Sequence, residues 1–197
     1  MKPRPPVELS EYDNSWYNPG RSLAAQTLWF LVGSPFLRCN LNPFSSLKVA
    51  ILRLFGARIG KGVVLKPGLH VKYPWHLIIG DNCWIGEDAW LDNLGLISLG
   101  NNVCISQGAY LCTGNHDWRD PRFGLIVREI SLLEGSWVGA RSFIGPGVEI
   151  GRYSIASAAT VVTRNIPDLE IHAGNPAAFV RRRDFASAPL QAKGKSA

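Results

Sequence analysis

IGDNCWIGEDAWLDNLGLISLG, residues 79–100, decides the fold. Aliphatic residues stand six apart at Ile79, Ile85, Leu91 and Ile97, with Gly80 and Gly86 directly after the first two. Outward from this run the same step appears earlier at Ile59, Leu65, Val71 and Leu77, and later at Leu99, Ile105 and Leu111. After an interruption it resumes at Leu132, Val138, Ile144, Ile150, Ala156 and Val162. Four places after the aliphatic residue sits a small or β-branched one, as at Val63, Cys83, Ala89, Val103, Ala109, Ser136, Ser142, Val148, Ser154 and Thr160. A period of six is neither the 3.6 of an amphipathic helix nor the 2 of a half-buried strand. It is the step of a parallel β-helix, in which each hexad forms one flat side of a coil. The aliphatic residue then points inward and the small one fits beside it. The glycine is expected to relieve the backbone at the corner. Two extra residues near Leu77–Ile79 and again near Ile97–Leu99 predict longer coils with small bulges at one corner.

The interruption itself is informative. Thr113-Gly-Asn-His-Asp-Trp118 opens a stretch, to Glu129, with many charges, Pro121 and Gly124, and too few apolar residues for a coil. It predicts a loop over 113–130 thrown out from the prism, with His116 at its root. Loops held by a rigid scaffold are where binding and catalytic groups concentrate.

The length of 197 residues suits one domain with terminal extensions. A hydrophobic fraction of 46% supports a core, and a charged fraction of 18% is low enough to suggest that other copies cover part of the surface. The net charge of +6 favours anionic partners without naming one, and nothing points to nucleic acid. Cys39, Cys83, Cys104 and Cys112 form no CxxC and read as reduced thiols of a cytoplasmic protein.

Residues 1–20 read as an extended arm, because Pro3, Pro5, Pro6 and Pro19 block helix, and no signal peptide is recognisable in them. Residues 21–57 read as a helical cap for the open end of the prism. Its first part, Leu23 to Leu37, is apolar but shorter than the roughly 20 residues of a spanning helix. Two uses fit it. It packs on the first coils, or it lies in a membrane interface, with Trp29 and Phe30 suited to that boundary and Arg21 and Arg38 drawn to anionic lipid. The second part is a helix ending near Phe55, with Ser45 or Ser46 as its cap, Lys48 and Arg53 on its polar side, and Gly56 as its stop. The coils fill 58–167, a return segment follows over 168–185, and 186–197 is expected to be a flexible basic tail.

With the hexads, TGNHDW, Val162-Thr-Arg-Asn-Ile-Pro167 and Ala173-Gly-Asn-Pro176 in view, the chain resembles the bacterial hexapeptide-repeat sugar O-acetyltransferases. That group includes galactoside, maltose and nodulation-factor acetyltransferases. Tyr12-Asp-Asn-Ser-Trp-Tyr17 and Cys104-Ile-Ser-Gln-Gly-Ala-Tyr-Leu-Cys-Thr-Gly114 are most similar to the colanic acid and related exopolysaccharide branch. The resemblance of the coils covers about residues 59 to 181. It implies an all-β solenoid, a left-handed parallel β-helix, assembled as a homotrimer with active sites between subunits. It further implies transfer of acetyl from acetyl-CoA to a hydroxyl of a sugar or lipid-linked oligosaccharide, in the cytoplasm at or near the inner membrane.

Within that resemblance His116 matches the catalytic histidine. A sugar hydroxyl is a poor nucleophile near neutral pH, and imidazole is the side chain suited to take its proton and return it to the departing thiolate. No serine or cysteine sits in a nucleophile motif, so direct transfer is expected rather than an acyl-enzyme. Trp137, Gly139, Ala140 and Ala158 match positions along the pantetheine arm. Thr163, Arg164 and Arg181 match the nucleotide end, where arginine pairs with phosphate. Counting back from Leu99 puts Asn93 where the family has a sugar-binding aspartate, with Asp92 beside it; Asn115 and Asp117 flank the histidine. No metal is expected. Two other readings remain: a non-catalytic β-helix scaffold, and a zinc hydratase of the γ carbonic anhydrase type, which needs three converging histidines.

Overall fold

The structure is a computed structural model in which residues 7–185 are described. Residues 1–6 of the arm and the tail expected at 186–197 lie outside the described residues.

The hexads build a parallel β-helix whose three flat sides are parallel sheets. The first face stacks Arg58–Ile59, Leu77–Ile79, Ile97–Leu99, Ile130–Leu132 and Glu149–Ile150. The second stacks Val64–Leu65, Trp84–Ile85, Cys104–Ile105, Trp137–Val138 and Ile155–Ala156. The third stacks His70–Val71, Trp90–Asp92, Tyr110–Cys112, Phe143–Ile144 and Val161–Val162. Inward residues meet coil upon coil: Leu65, Ile85, Ile105, Val138 and Ala156 are all buried in one row. The small residues fill the corners, and Cys83, Ala89, Ala109, Ser136, Ser142 and Thr160 are buried as the spacing requires.

Glycine has a different task from the one expected. At Gly139 an added Cβ would lie 2.5 Å from the Ala158 nitrogen of the next coil, and at Gly86 2.6 Å from that of Gln107. Those glycines let one coil's backbone sit directly on the next. The left-handed backbone falls two residues further on, at Asn82, Asp88, Asn102 and Arg141. Asn and Asp tolerate that conformation best among side-chain-bearing residues.

The early coils are 20 residues long, with Ile59 opposite Ile79 and Ile79 opposite Leu99; a later one is 18, with Leu132 opposite Ile150. The extra residues gather at the corner between the third and first faces. There the turn Pro74–His76 and the segment after Asp92 form bulges, and further up the chain leaves the prism altogether.

The cap closes the open edge with polar side chains. Ser45 does not cap its helix, Ser45–Leu54, which has no side-chain cap bond. Its hydroxyl instead donates to Val63 O and accepts from Leu65 N–H. Lys48 is not on a solvated side: it is fully buried, its ammonium donating to Leu65 O, and burial pushes its pKa down. Arg53 donates to the carbonyls of Ile59 and Gly60. These contacts pair groups that the first coil, lacking a coil beneath it, would leave unmade. Gly56 ends the helix with φ +101°, its N–H on Arg53 O and that of Ala57 on Leu52 O.

The preceding helix runs from Leu23 to Arg38 through a π turn, Trp29–Gly33, just before Pro35. A widened turn accommodates the N–H that proline lacks. One stripe of it, Trp29, Gly33 and Leu37, is buried. Trp29 packs on Phe55 and its indole donates to Val71 O, so it belongs to the core and not to an interface. Leu23, Leu28, Leu31 and Val32 remain exposed. At the other end Glu170–Ala173 and Ala178–Arg182 form a hairpin that extends the second face.

The outward rows differ by face. On the second they are Val64, Trp84, Cys104, Trp137 and Ile155; on the third His70, Trp90, Tyr110, Phe143 and Val161. On the first they are Arg58, Ile78, Ser98, Ser131 and Glu149. Trp90 stacks on Tyr110 at 4.7 Å, and Phe143 meets Tyr110 edge-on at 5.5 Å.

Candidate active site

The interruption after Leu111 folds as an antiparallel hairpin, Gly114–His116 against Leu125–Val127, standing off the third/first corner. Thr113 anchors its foot: the buried hydroxyl donates to Asp92 O and accepts from Gly95 N–H. His116 is therefore carried outward on a strand end rather than held at the root.

Its imidazole is held on two sides. Phe123 stacks against it, with ring centroids 4.5 Å apart and planes 7° from parallel, and Tyr12 of the arm lies at 5.6 Å, tilted 60°. The Nδ1 atom is 2.8 Å from Phe123 O. A carbonyl can only accept, so this bond assigns the proton to Nδ1 and leaves the Nε2 lone pair free in the neutral ring. The arm is tied to the same hairpin by Glu8 N–H donating to Pro121 O, and lower down by Tyr17 O–H donating to Leu94 O. Neither Tyr12 nor Phe123 was singled out from the sequence as a partner of His116. Phe123 is the one aromatic residue between Trp118 and Glu129, which is the signal that was there to use.

The expected acceptor residues part company. Asn115 lines a cavity of about 300 Å³ with Gly114, Arg128, Phe143, Pro146 and Thr163. Its Oδ1 accepts the His116 N–H, which leaves its amide N–H groups for a ligand. Asp117 turns its carboxylate to the Arg119 N–H at 3.0 Å and serves the loop. Asp92 is mostly buried, pairs with Lys72 at 3.2 Å and accepts from Tyr110 O–H at 3.0 Å. Burial, together with the nearby Cys112 thiol and that carboxylate, holds the Tyr110 phenol well above its ordinary pKa. Asn93 must be corrected. It is fully buried, its Oδ1 accepting from Lys72 and Tyr73 N–H and its amide donating to Tyr73 O and His76 O. Every polar atom of that side chain is used in tying two bulges together, so no acceptor reaches it.

The expected cofactor residues fall into two groups. Gly139, Ala140 and Ala158 stack at the corner between the second and third faces, where Ala159 N–H donates to Ala140 O. Trp137 is on the second face in one register row with Ile155 and Ile171, and Ile171 is opposite Arg181 on the terminal hairpin. Its indole donates to Ser106 Oγ. Thr163 lies instead at the third/first corner, between the first cavity and a second of about 360 Å³ that Arg164, His172 and Pro176 also line. Neither Arg164 nor Arg181 is in a salt bridge within the described residues. Among the described residues no group of three or more His, Cys, Asp or Glu is placed to hold a metal.

Residues 76–112 match the family described as the hexapeptide repeat of succinyl-transferase. The chain is 36% identical over 167 residues to a putative colanic acid biosynthesis acetyltransferase, WcaF, of Escherichia coli, covering 85% of this chain and 91% of that protein. It is 25% identical over 135 residues to the galactoside O-acetyltransferase of the same organism, covering 67% of this chain and 66% of that one. The crystal structure of a hexapeptide-repeat acetyltransferase of Vibrio cholerae complexed with acetyl coenzyme A superposes with a TM-score of 0.74 at 24% identity, over 84% of this chain and 92% of that one.

Proposed function

The chain belongs to the hexapeptide-repeat acetyltransferase family, and we propose that it moves acetyl from acetyl-CoA to a sugar hydroxyl in exopolysaccharide assembly, with His116 as general base. One observation carries the role of His116: Nδ1 is committed to the Phe123 carbonyl, so Nε2 is the basic atom. In the reaction Nε2 takes the hydroxyl proton as the oxygen attacks the thioester carbonyl. Backbone N–H groups at a coil corner receive the negative charge of the tetrahedral oxyanion. As that intermediate collapses the C–S bond breaks, and the imidazolium returns the proton to the coenzyme A thiolate. No enzyme nucleophile is acetylated on this route.

Acetyl-CoA lies along Trp137, Gly139, Ala140 and Ala158, with Thr163, Arg164 and Arg181 toward its nucleotide. Asn115 reaches the acceptor, with Asp92 further down the third face. Since His116 and the Gly139–Ala158 stack leave different corners of one prism, the reading requires a second copy, and the assembly is a homotrimer. The outward rows support this: two faces carry mainly apolar and aromatic residues suited to burial against neighbours, while the row of the first face is polar except for Ile78. The coils are cytoplasmic. No helix of the described residues is long and apolar enough to cross a membrane, and the contact proposed for residues 21–38 is peripheral.

The test incubates the protein with acetyl-CoA and methyl glycosides of common hexoses, following free thiol and product mass. O-acetylated glycoside with matching thiol release is the expected result. If calorimetry detects no binding of acetyl-CoA, the scaffold reading replaces this one.

A further inference from the structure

The helix from Leu23 to Arg38 packs only one stripe. Its other side leaves Leu23 78%, Leu31 72% and Val32 58% exposed, figures too high for residues that only cover a coil. Two shallow apolar hollows lie there, one lined by Leu23, Leu28, Leu31 and Val32, the other by Leu28, Leu54, Phe55 and Trp75. Leu28 borders both, so they form one surface that takes in the end of the cap helix, where Leu54 is 82% exposed. A contiguous apolar surface of this kind marks an interaction site.

Charge identifies what meets it. Between Asp13 and Asp81 the chain has no acidic residue and eight Lys or Arg. That stretch carries +8, whereas the whole chain carries +6, so everything else together is −2. Some of these cations are committed: Lys48 and Arg53 to carbonyls of the first coil, Lys72 to Asp92. Arg38, Lys61 and Lys66 are exposed and are in no salt bridge within the described residues. The net positive charge of the chain thus comes from the stretch that builds the capped end of the prism, the end that bears the apolar surface. A second copy docked end to end would set like charge against like charge.

We infer that the capped end of the prism docks on an anionic lipid surface. Leu23, Leu28, Leu31, Val32 and Leu54 enter the headgroup boundary while the cations meet lipid phosphates, the division found in interfacial amphipathic helices. Trp29, buried, takes no part. In the proposed threefold assembly all three caps face one way, so the contacts act together.

Flotation tests this with the full chain and vesicles of phosphatidylcholine alone or with phosphatidylglycerol. The protein is expected to float with the anionic vesicles at low salt and to stay behind with the neutral ones. At high salt the shortened screening length releases it. Leu31→Ser/Val32→Ser, at exposed positions, should bind the anionic vesicles at least about tenfold more weakly. Arg38→Gln/Lys61→Gln/Lys66→Gln should lower affinity on the order of a hundredfold. Both variants should bind coenzyme A as wild type does, which separates this test from that of the acetyl-transfer reading. Failure of the wild type to float on anionic vesicles at low salt overturns the proposal. So does undiminished flotation of the serine variant, or sedimentation in which the wild type doubles its assembly mass and the serine variant does not, since the occupant is then a second copy.

Discussion

Two corners of the same prism, built from the same hexads, have opposite characters. Between the second and third faces the chain turns on Gly139, Ala140 and Ala158, with one backbone lying directly on the next. Between the third and first faces each early coil carries extra residues, and one coil opens into the hairpin that holds His116. The inward positions do not distinguish the two, since both are flanked by buried aliphatic rows. The difference lies in residues beyond the six-residue step. The regular step supplies a stiff scaffold, and departures from it project side chains away from that scaffold. The tight corner can lie against a long ligand; the wide one can reach across to a reacting group.

The sharpest way to break this contrast is His116→Ala, at the wide corner. Turnover should fall by about a hundredfold or more, the scale of general-base catalysis, while unfolding stability changes little. Near wild-type turnover in a folded variant would remove His116 from the chemistry. Leu111→Ala, the inward residue just before the hairpin, should do the reverse. It is fully buried, and the substitution should cost about 2–5 kcal/mol in denaturant unfolding at fixed protein concentration. A cost under about 1 kcal/mol would mean the coil is loosely packed there. Arg164→Ala and Arg181→Ala should weaken coenzyme A binding by about ten- to a hundredfold each. If both still separate coenzyme A from its 3′-dephospho form as wild type does, neither reads that phosphate. The smallest effect is expected at Tyr12, whose ring lies against His116. Tyr12→Ala should lower kcat by a few-fold, roughly the value of one aromatic contact, with Tyr12→Phe restoring it. A loss shared equally by the Phe variant would point to the hydroxyl instead.

The scaffold was legible because its period is local: each aliphatic residue is six places from the next, and nearly all proved buried. The break at Thr113 was legible for the same reason. What escaped was every role set by a distant partner. Ser45, Lys48 and Arg53 read as ordinary parts of an amphipathic helix, yet their polar atoms serve carbonyls and an N–H of the first coil. Tyr12 is separated from His116 by more than half the chain, and no pattern in either segment announces the contact. Asn93 had the right count from Leu99 for an acceptor ligand, but its amide bridges two bulges that the count could not see. Trp29 looked interfacial by type, whereas its position on the stripe with Gly33 and Leu37 buries it.

That one subunit's wide corner works against another's tight corner is tested most directly by mixing two inactive variants. His116→Ala lacks the base, and Ala140→Trp blocks the tight corner with a bulky ring. The two are co-expressed with different tags, mixed assemblies are purified through both, and acetyl transfer to the best methyl glycoside is measured. About one site in three should be intact in trimeric rings that contain both variants, so activity should return well above either parent. Mixed assemblies no more active than their parents would contradict a site shared between subunits.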